Sequence, residues 1–286
     1  MRIRAPAKIN LTLRVNGRRR DGYHLLDTVM VPVSLYDAME IRKLKRARKP
    51  AGARITVSCA HPLVPSGEKN IVHRAARILM DETGADQPIR IRIHKGIPVG
   101  AGLGGGSADA AATLVGLNRL LNLRLTEARL EKLALSLGAD VPFFIRSRPA
   151  RARGIGEQLT PLRGLPNLWF VIIYPGFPIS TAWAYASLPA KLTKPIVNTS
   201  IATSLKSLDK LAGLLVNDLE SATLDRYPKL RLLKVKLLRE GALGSLMSGS
   251  GSSVFGLFQS KQMAQRAYYK LRYEEGVQAF LVRTLN

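Results

Sequence analysis

The sequence predicts an α+β fold in two domains, and three stretches carry that prediction. Residues Ile89–His94 alternate apolar and polar side chains, which is typical of a half-buried strand in an antiparallel sheet. An Ala- and Leu-rich stretch over residues 107–121 indicates a helix. From residue 168 onward, the order strand, helices, two strands, helix and strand is close to a split β-α-β, ferredoxin-like arrangement. We therefore expect an amino-terminal domain over residues 1–154 and a carboxy-terminal domain over residues 155–286.

Local signals predict the remaining elements. A second helix is expected to begin after Thr126, a good N-cap, and to end at Gly138. The basic stretch 146–156 contains Pro and Gly and is predicted to be an exposed loop or a domain boundary. The apolar run 168–174 is ended by Pro175 and Gly176, so we expect a buried strand there. Helices are predicted over about 200–219, 225–240 and 260–275, two strands beside 248–252, and a last strand over about 277–283.

The composition limits the class of protein. A chain of 286 residues with 46% hydrophobic content is long enough to bury a sizeable core. It contains no run of about 18 apolar residues and its first residues lack an apolar signal segment, so we expect neither a membrane span nor secretion. A lone cysteine, Cys59, makes no internal disulfide, which favours the reducing cytoplasm. The four histidines lack metal-ligand spacing, which argues against a structural zinc site.

The charge is strongly basic, because 44 Lys and Arg stand against 20 Asp and Glu and give a formal +24. Such an excess suits an anionic partner such as nucleic acid, a membrane surface or a phosphorylated metabolite. A generally basic surface accounts for it as well, since basic residues are scattered as well as clustered. The clusters at 18–20, 42–54 and 146–153 contain no interleaved aromatic residues of the kind that stack nucleobases. Charge alone therefore selects no function.

The strongest functional signal is a loop at residues 98–108, where five glycines within seven positions directly precede the predicted helix. Glycine lets the backbone approach a ligand, and a helix amino terminus presents unpaired N–H groups, so the two together bind phosphate. A flexible linker is the alternative, but the helix follows without a break. A Walker loop is excluded because no Lys follows Gly106. The fingerprint Gly100, Gly102 and Gly105 does not directly follow a strand, which disfavours a dinucleotide site.

Four further motifs carry candidate residues, each with a structural alternative. Lys8 lies in an apolar, strand-like segment and is either paired with an anionic group or solvated. Asp140 follows a helix and precedes an apolar run, where it acts as a general base or as a capping or turn residue. The sequence Gly22-Tyr23-His24 offers a stacking face and a hydrogen-bonding edge for a nucleobase, or is a surface aromatic pair. Residues 248–251 form an anion-binding nest or a hairpin turn.

In their order along almost the whole chain, these five motifs resemble the pattern of the GHMP kinase superfamily. The segment 6–11 and the Gly-Tyr-His are similar to the branch whose acceptor is a cytidine diphosphate-linked methylerythritol. The resemblance implies a two-domain GHMP kinase fold, with a ribosomal-protein-like α/β domain, a ferredoxin-like domain and an active site in the cleft between them. It also implies ATP- and Mg²⁺-dependent phosphorylation of the acceptor C2 hydroxyl, in non-mevalonate isoprenoid precursor biosynthesis.

The resemblance further implies roles for particular residues. Asp140 would take the hydroxyl proton, Lys8 would hold the acceptor oxygen and Asp140 in place, and Ser107 would lie near Mg²⁺. The acceptor would be bound by Asn10, by Tyr23 and Tyr185 on either side of the cytosine, and by His24 at its edge. ATP would be bound by Asn70, by Lys95, by the first loop (Pro98, Val99, Gly100, Ala101, Gly102, Leu103, Gly104, Gly105, Gly106, Ser107 and Ala108) and by the second loop (Ser248, Gly249, Ser250 and Gly251).

The sequence departs from the GHMP kinase pattern at residues 108–109, and it leaves two alternative functions open. Ala108-Asp109 stands where many relatives carry Ser-Asn or Ser-Asp, which removes one hydroxyl and leaves the backbone N–H groups. Another GHMP kinase, acting on homoserine, mevalonate or a sugar, is an alternative, although only a nucleotide-bearing acceptor needs the aromatic pair. An RNA-binding protein is the alternative from another class, which the two glycine loops disfavour. We expect a cytoplasmic monomer or homodimer with no membrane or nucleic-acid partner.

Overall fold

The structure, a computed structural model, describes residues 1–45, 54–188 and 207–286. These residues group into two compact units. The first unit comprises 1–7, 35–99 and 104–147, and the second comprises 8–34, 100–103 and 148–286. The predicted domain boundary near residue 154 stays a prediction. Among the described residues, no helix has the length and apolar character needed to cross a membrane.

Two long strands contribute residues to both units, and the other elements belong to one unit each. The long strands are β1 (Arg2–Arg18) and β2 (His24–Lys43). The first unit adds β3 (Ile55–Cys59), a 3-10 turn (Gly67–Lys69), α1 (Ile71–Thr83), β4 (Ile89–His94), α2 (Gly105–Leu120), α3 (Glu127–Leu135) and α4 (Val141–Arg146). The second unit adds β5 (Ala150–Gly154), β6 (Gln158–Pro161), β7 (Trp169–Tyr174), α5 (Thr181–Ala186), α6 (Leu208–Leu214), β8 (Val216–Asn217), α7 (Glu220–Arg226), α8 (Pro228–Arg239), β9 (Gly244–Met247), β10 (Val254–Phe258), α9 (Lys261–Leu271) and β11 (Gln278–Arg283).

The first unit confirms the predicted strand and both predicted helices. Residues Ala38 to Lys43 of β2 pair antiparallel with β4, and β3 pairs parallel with β4 on its other side. Every second residue of β4 is buried, as the alternation in the sequence requires. Helix α3 begins where predicted, because the Thr126 hydroxyl accepts a hydrogen bond from the Arg129 N–H. Its apolar face buries Leu130, Leu133 and Ala134.

The second unit contains a four-stranded antiparallel sheet in the order β11-β7-β10-β9. Strand β7 is central and buries Phe170 and all residues that follow it to Tyr174, which confirms the predicted apolar strand. Leucines of α8 and alanines of α9 share one apolar core with this sheet, together with Val171 and Ile173. The predicted order of strand, helices, two strands, helix and strand is therefore correct for this part of the chain.

Two predictions for the second unit are wrong. The exposed-loop alternative for residues 146–156 is wrong, because β5 forms there and pairs antiparallel with β2 from Leu26 to Met30, whereas a boundary between the two units does fall within this stretch, after Ser147. Ala150 and Ala152 are buried, while Arg151 between them makes an ion pair with Asp27 and is thereby accommodated in the sheet. The second error is the helix expected to extend to residue 219.

That region forms helix and strand in succession. Residues 200–206 lie outside the described residues, and α6 ends at Leu214. Val216 and Asn217 form β8, which pairs in parallel with Thr12 and Leu13 of β1. Pairing with a distant strand overrides the local helix preference, a contact that the sequence pattern of this stretch does not reveal. Strand β8 places Asn217 beside the second glycine loop, residues 248–251.

Candidate active site

A buried row of polar side chains crosses β1 and β2 in the second unit. The Lys8 ammonium donates to Oδ1 of Asn10 at 2.5 Å, and Nδ2 of Asn10 donates to the Thr28 hydroxyl oxygen at 2.7 Å. Lys8 is 4% exposed and Asn10 is 2% exposed, so the solvated-lysine alternative is wrong. The Lys8 backbone N–H donates to the Leu103 carbonyl at 3.0 Å. This bond connects β1 directly to the first glycine loop.

The first glycine loop is fixed in place where it crosses the second unit. The Gly100 and Ala101 carbonyls each accept a backbone hydrogen bond of 3.1 Å, from Ile179 and Ser253 respectively. Gly102 has a φ of +74°, and a Cβ at this position would lie 2.0 Å from the Ser248 carbonyl oxygen. Only glycine fits both constraints. The loop is therefore a built feature, and the flexible-linker alternative is wrong for residues 100–103.

The rest of this loop opens α2 in the first unit. Gly104 is the N-cap residue and supplies no side-chain hydrogen bond, and the first turn carries no acidic side chain. The first N–H groups of a helix have no intrahelical acceptor, and the helix dipole makes this end positive. A Cβ at Gly106 would meet no atom closer than 3.9 Å, so the terminus has open space. An uncapped, uncrowded helix terminus with Ser107 in its first turn fits a nucleotide phosphate and its Mg²⁺.

The second glycine loop connects β9 to β10 and lies next to Lys8. A Cβ at Gly249 would lie 3.3 Å from the Lys8 ammonium nitrogen and 3.5 Å from Oδ1 of Asn10. The Ser248 hydroxyl donates to the Gly102 carbonyl at 3.0 Å, and the Ser250 and Thr181 hydroxyls are 3.0 Å apart. The hairpin alternative is therefore correct, because the loop joins two antiparallel strands, while anion binding by this loop stays a prediction. The loop brings together Lys8, Asn10 and residues 100–103 of the first glycine loop within the second unit.

Asn217 positions this second loop, and the sequence analysis missed it. Its side-chain amide donates to the carbonyls of Met247 at 2.8 Å and Gly249 at 2.7 Å, while its oxygen accepts from the Leu219 N–H at 3.0 Å. The residue is buried. The sequence predicts a helix over this stretch, and a helix prediction gives no indication of a side chain that braces a loop. The signal that could have found it is a polar Asn-Asp pair directly after the apolar run 214–216.

Lys95 is occupied by two carboxylates of the first unit. Its ammonium contacts Asp37 and lies 2.9 Å from Oδ2 of Asp109. Burial lowers the pKa of Lys95, but the carboxylates of Asp109 and Asp37 outweigh it and raise that pKa above its ordinary value. Burial also raises the pKa of Asp109 to about 7, against the attraction of Lys95. Sequence analysis missed Asp37 as a functional candidate, since its partner lies 58 positions away.

Two other expected nucleotide contacts have structural partners as well. Asn70 is the N-cap of α1, where its Oδ1 accepts from the Val72 N–H at 2.9 Å and its Nδ2 donates to the Pro65 carbonyl at 2.8 Å. Ala108 is buried, so an added hydroxyl there would enter the packed interior. Contact of Asn70, Lys95 and Ala108 with ATP stays a prediction.

Asp140 directly precedes the short helix α4. It lies in the turn before the helix, as the turn alternative predicts, and it occupies the N-cap position without making a capping hydrogen bond. The four residues after it, from Val141 to Phe144, are buried and anchor this corner of the first unit. A half-buried carboxylate on such a rigid support is suited to accept a proton.

The aromatic candidates lie in the second unit. The His24 ring stacks on Tyr185, with ring centroids 5.1 Å apart and planes inclined by 25°. Burial, assisted by the nearby charge of Arg18, lowers the pKa of His24, which keeps the imidazole neutral at pH 7. Tyr23 is 59% exposed and free to present its ring to a ligand. The structure thus joins His24 and Tyr185, while the pairing of Tyr23 with Tyr185 around a base stays a prediction.

Comparison with known proteins agrees with this arrangement. The GHMP kinases N terminal domain family matches residues 70–148, and the GHMP kinases C terminal family matches residues 198–277. A 4-diphosphocytidyl-2-C-methyl-D-erythritol kinase of Citrifermentans bemidjiense is 47% identical over 285 residues, covering 100% of this chain and 99% of that protein. The protein of the same name from Syntrophotalea carbinolica is 46% identical, covering 99% and 98%.

Solved structures give the same result. A crystal structure of 4-(cytidine 5'-diphospho)-2C-methyl-D-erythritol kinase superposes with a TM-score of 0.84 at 35% identity, covering 100% of both chains. Homoserine kinase from Cytophaga hutchinsonii, at 23% identity and a TM-score of 0.76, shares the fold and covers 100% of this chain and 95% of that one. The chain therefore belongs to the GHMP kinases and, within them, to the family of 4-diphosphocytidyl-2-C-methyl-D-erythritol kinases.

Proposed function

We propose that this chain transfers the γ-phosphoryl group of ATP to the C2 hydroxyl of 4-diphosphocytidyl-2-C-methyl-D-erythritol, giving the 2-phosphate and ADP for non-mevalonate isoprenoid precursor biosynthesis. The observation that carries the proposal is that Lys8, Asn10, the second glycine loop and residues 100–103 of the first glycine loop meet within the second unit. The reaction is further supported by the full-length relatives that bear this kinase name. We also propose a cytoplasmic monomer or homodimer without a nucleic-acid partner.

The nucleotide side of the reaction depends on positioning and charge neutralisation, as phosphoryl transfer generally does. The backbone N–H groups at the start of α2, with the first loop, bind the ATP phosphates, and residues 248–251 support them. The Ser107 hydroxyl would hold Mg²⁺, which would supply positive charge against the phosphate oxygens when bound. No group of three or more His, Cys, Asp or Glu side chains suited to a metal occurs in the described ranges. A cation that arrives with the nucleotide needs no such group.

The acceptor side depends on Asp140 and Lys8. Asp140 accepts the proton of the C2 hydroxyl as the new oxygen–phosphorus bond forms and the bond to ADP breaks. Lys8 stabilises the negative charge that develops on the acceptor oxygen, and Asn10 binds the acceptor beside it. Tyr23 and Tyr185 bind the cytosine faces, and neutral His24 binds its edge, since a neutral imidazole both donates and accepts a hydrogen bond. In this arrangement, His24 leaves the Tyr185 face when the base enters.

The test is turnover with Mg-ATP and 4-diphosphocytidyl-2-C-methyl-D-erythritol, followed by ADP release and product mass, with homoserine and mevalonate in parallel. We expect phosphorylation of the cytidine compound alone. Asp140→Asn should lower kcat by about 10²- to 10⁴-fold, whereas Asp225→Asn, which removes an exposed carboxylate paired with Arg231, should leave it unchanged. Turnover of another acceptor in place of the cytidine compound would refute the proposed substrate, and an unchanged kcat in Asp140→Asn would refute the proposed base.

A further inference from the structure

We propose that Thr28 is a positioning residue of this kinase, whose hydroxyl fixes the orientation of the Asn10 amide and thereby the position of the Lys8 ammonium. The inference rests on the proposed function, because Lys8 and Asn10 belong to its acceptor side. It adds a residue outside the five sequence motifs. Thr28 lies in β2, whereas Lys8 and Asn10 lie in β1.

The direction of each hydrogen bond in this row follows from a hydroxyl with a single proton. The Thr28 hydroxyl donates to the Thr12 carbonyl at 2.6 Å. A backbone carbonyl only accepts, so the one hydroxyl hydrogen is used there. The Thr28 oxygen can then only accept from Asn10, whose nearest side-chain atom is 2.7 Å away. That atom must be the amide nitrogen, and Thr28 thereby determines which way round the Asn10 amide lies.

The consequence reaches Lys8. With its nitrogen toward Thr28, the Asn10 amide presents Oδ1 to the Lys8 ammonium at 2.5 Å. A reversed amide would present hydrogen atoms to an ammonium group that only donates, and this contact would be lost. The ammonium would then take a different position relative to the second glycine loop. A Cβ added at Gly249 of this loop would lie 3.3 Å from the Lys8 ammonium nitrogen. The Thr28 hydroxyl therefore acts on Lys8 through Asn10.

Burial makes the arrangement hard to replace with water. Thr28 is 2% exposed and Thr12 is 3% exposed, so solvent has little access to replace the Thr28 hydroxyl as the acceptor for Asn10. Thr12 is itself fixed, because its hydroxyl oxygen accepts from the Val29 N–H at 3.0 Å. The row thus ends in the backbone of the paired strands β1 and β2. The rigid pairing of β1 and β2 therefore fixes the position of the Lys8 ammonium through Thr28 and Asn10.

The experiment compares Thr28→Val with Thr28→Ser. Valine keeps the branched shape that suits a strand and removes the hydroxyl, whereas serine keeps the hydroxyl and removes the methyl group. Thr223→Val is the matched control, because Thr223 is also fully buried and its hydroxyl has no hydrogen-bond partner among the described residues.

We expect Thr28→Val to lower kcat about 10- to 100-fold, as small misplacements of catalytic groups do. The KM for ATP should stay within about 2-fold, and Thr28→Ser and Thr223→Val should stay within about 3-fold of the wild-type kcat.

A second measurement does not depend on the substrate. The Asn10 side-chain NH₂ resonance is identified as the one absent in Asn10→Asp, and its hydrogen exchange is measured in each variant. Slow exchange in the wild type and Thr28→Ser, with fast exchange in Thr28→Val, is the expected result. Equal exchange in Thr28→Val and the wild type, or a folded Thr28→Val with unchanged kcat, would overturn the inference. Wild-type turnover of the cytidine acceptor tests the proposed function separately, since the exchange comparison stands whichever acceptor is used.

Discussion

The side-chain amide nitrogen of Asn217 lies 2.7 Å from the carbonyl oxygen of Gly249 and 2.8 Å from that of Met247. A single side chain of the two-residue strand β8 thus fixes the loop between β9 and β10 at two points. Ser248, between the two carbonyls, bonds to Gly102 of the first glycine loop. The conformation of the second glycine loop, and of the first loop where it lies in the second unit (residues 100–103), therefore depends on Asn217.

Replacing Asn217 with Asp should impair nucleotide binding more than acceptor binding. The carboxylate cannot donate, and each buried carbonyl left without a donor costs roughly 1–3 kcal/mol of the free energy of unfolding. Negative charge beside two carbonyl oxygens also displaces the loop from Gly102. We expect a lower thermal unfolding temperature and a raised KM for ATP in steady-state kinetics.

Asn118→Asp is the matched control for this prediction. Asn118 makes the same kind of bond, since its amide donates to the Leu125 carbonyl at 3.0 Å and its oxygen accepts from the Leu125 N–H at 3.0 Å. It braces the turn after α2, and both of these hydrogen bonds are made to Leu125 and not to a glycine loop. This variant should lose stability without a change in the KM for ATP, and an equal rise of KM in both variants would contradict the specific role of Asn217.

Two glycines of the first loop should respond to alanine in opposite directions. In Gly102→Ala the new Cβ would lie 2.0 Å from the Ser248 carbonyl oxygen and 2.8 Å from that of Gly251, at a φ of +74°. Backbone atoms on both sides cannot move away, so we expect a lower unfolding temperature and no further rise on addition of Mg-ATP. In Gly106→Ala the Cβ points into open space within a helix, and alanine should raise the unfolding temperature by stabilising α2 by up to about 1 kcal/mol. Differential scanning fluorimetry with and without nucleotide separates the two, and a stable Gly102→Ala would contradict the close contact.

The positions of these residues show what the sequence could predict. Local patterns sufficed for β4, α3 and β7, because each has its own apolar period and its own end signals. They also identified Lys8, Asp140 and the two glycine loops as chemically unusual segments. Long-range partners were beyond reach: the arginine at 151 reads as a loop residue until Asp27 is known to lie beside it.

The same reason explains the missed residues of the site. Asn217, Thr28 and Asp37 act through hydrogen bonds to groups that are distant in the chain or that belong to the backbone. Their residue types are common in turns, strands and caps, and nothing in their immediate neighbours marks them as functional. Their roles become visible only when strand pairing fixes which side chains face one another.

Replacing Asp37 with Asn should disturb the approach to the first glycine loop. One carboxylate oxygen of Asp37 accepts from the Gly96 and Ile97 N–H groups at 2.7 and 2.8 Å, and the other contacts Lys95. An amide can satisfy the two N–H groups only by turning its own hydrogens toward the ammonium. Since hydrogen bonds to charged groups contribute about 1.5–3 kcal/mol each, we expect a measurable fall in the free energy of unfolding and a raised KM for ATP.

Glu40→Gln is the control for Asp37, because Glu40 lies on the same strand but pairs with Arg2, which is 85% exposed. Such surface pairs contribute about 0–1 kcal/mol, so denaturant unfolding should separate the two variants clearly. Unchanged nucleotide binding in Asp37→Asn, measured by calorimetry, would show that the carboxylate is dispensable for the loop.

Acidification should weaken acceptor binding through His24. Burial, with the charge of Arg18, lowers the pKa of His24 below its ordinary value of 6.5, so the ring is neutral at pH 7 and takes up a proton at a lower pH than a free imidazole does. A protonated imidazole donates from both nitrogens and cannot accept from the amino group of cytosine. We therefore expect the KM for the acceptor to rise as the pH falls below 6.5, while the KM for ATP changes little. Because the unfolded chain binds this proton at a higher pH than the folded chain does, protonation of His24 also lowers the free energy of unfolding as the pH falls below 6.5.

His24→Gln should flatten the pH profile of the KM for the acceptor, whereas His94→Gln, at an exposed position of β4, should reproduce the wild-type profile. An identical pH profile in His24→Gln and the wild type would remove His24 from the acceptor site.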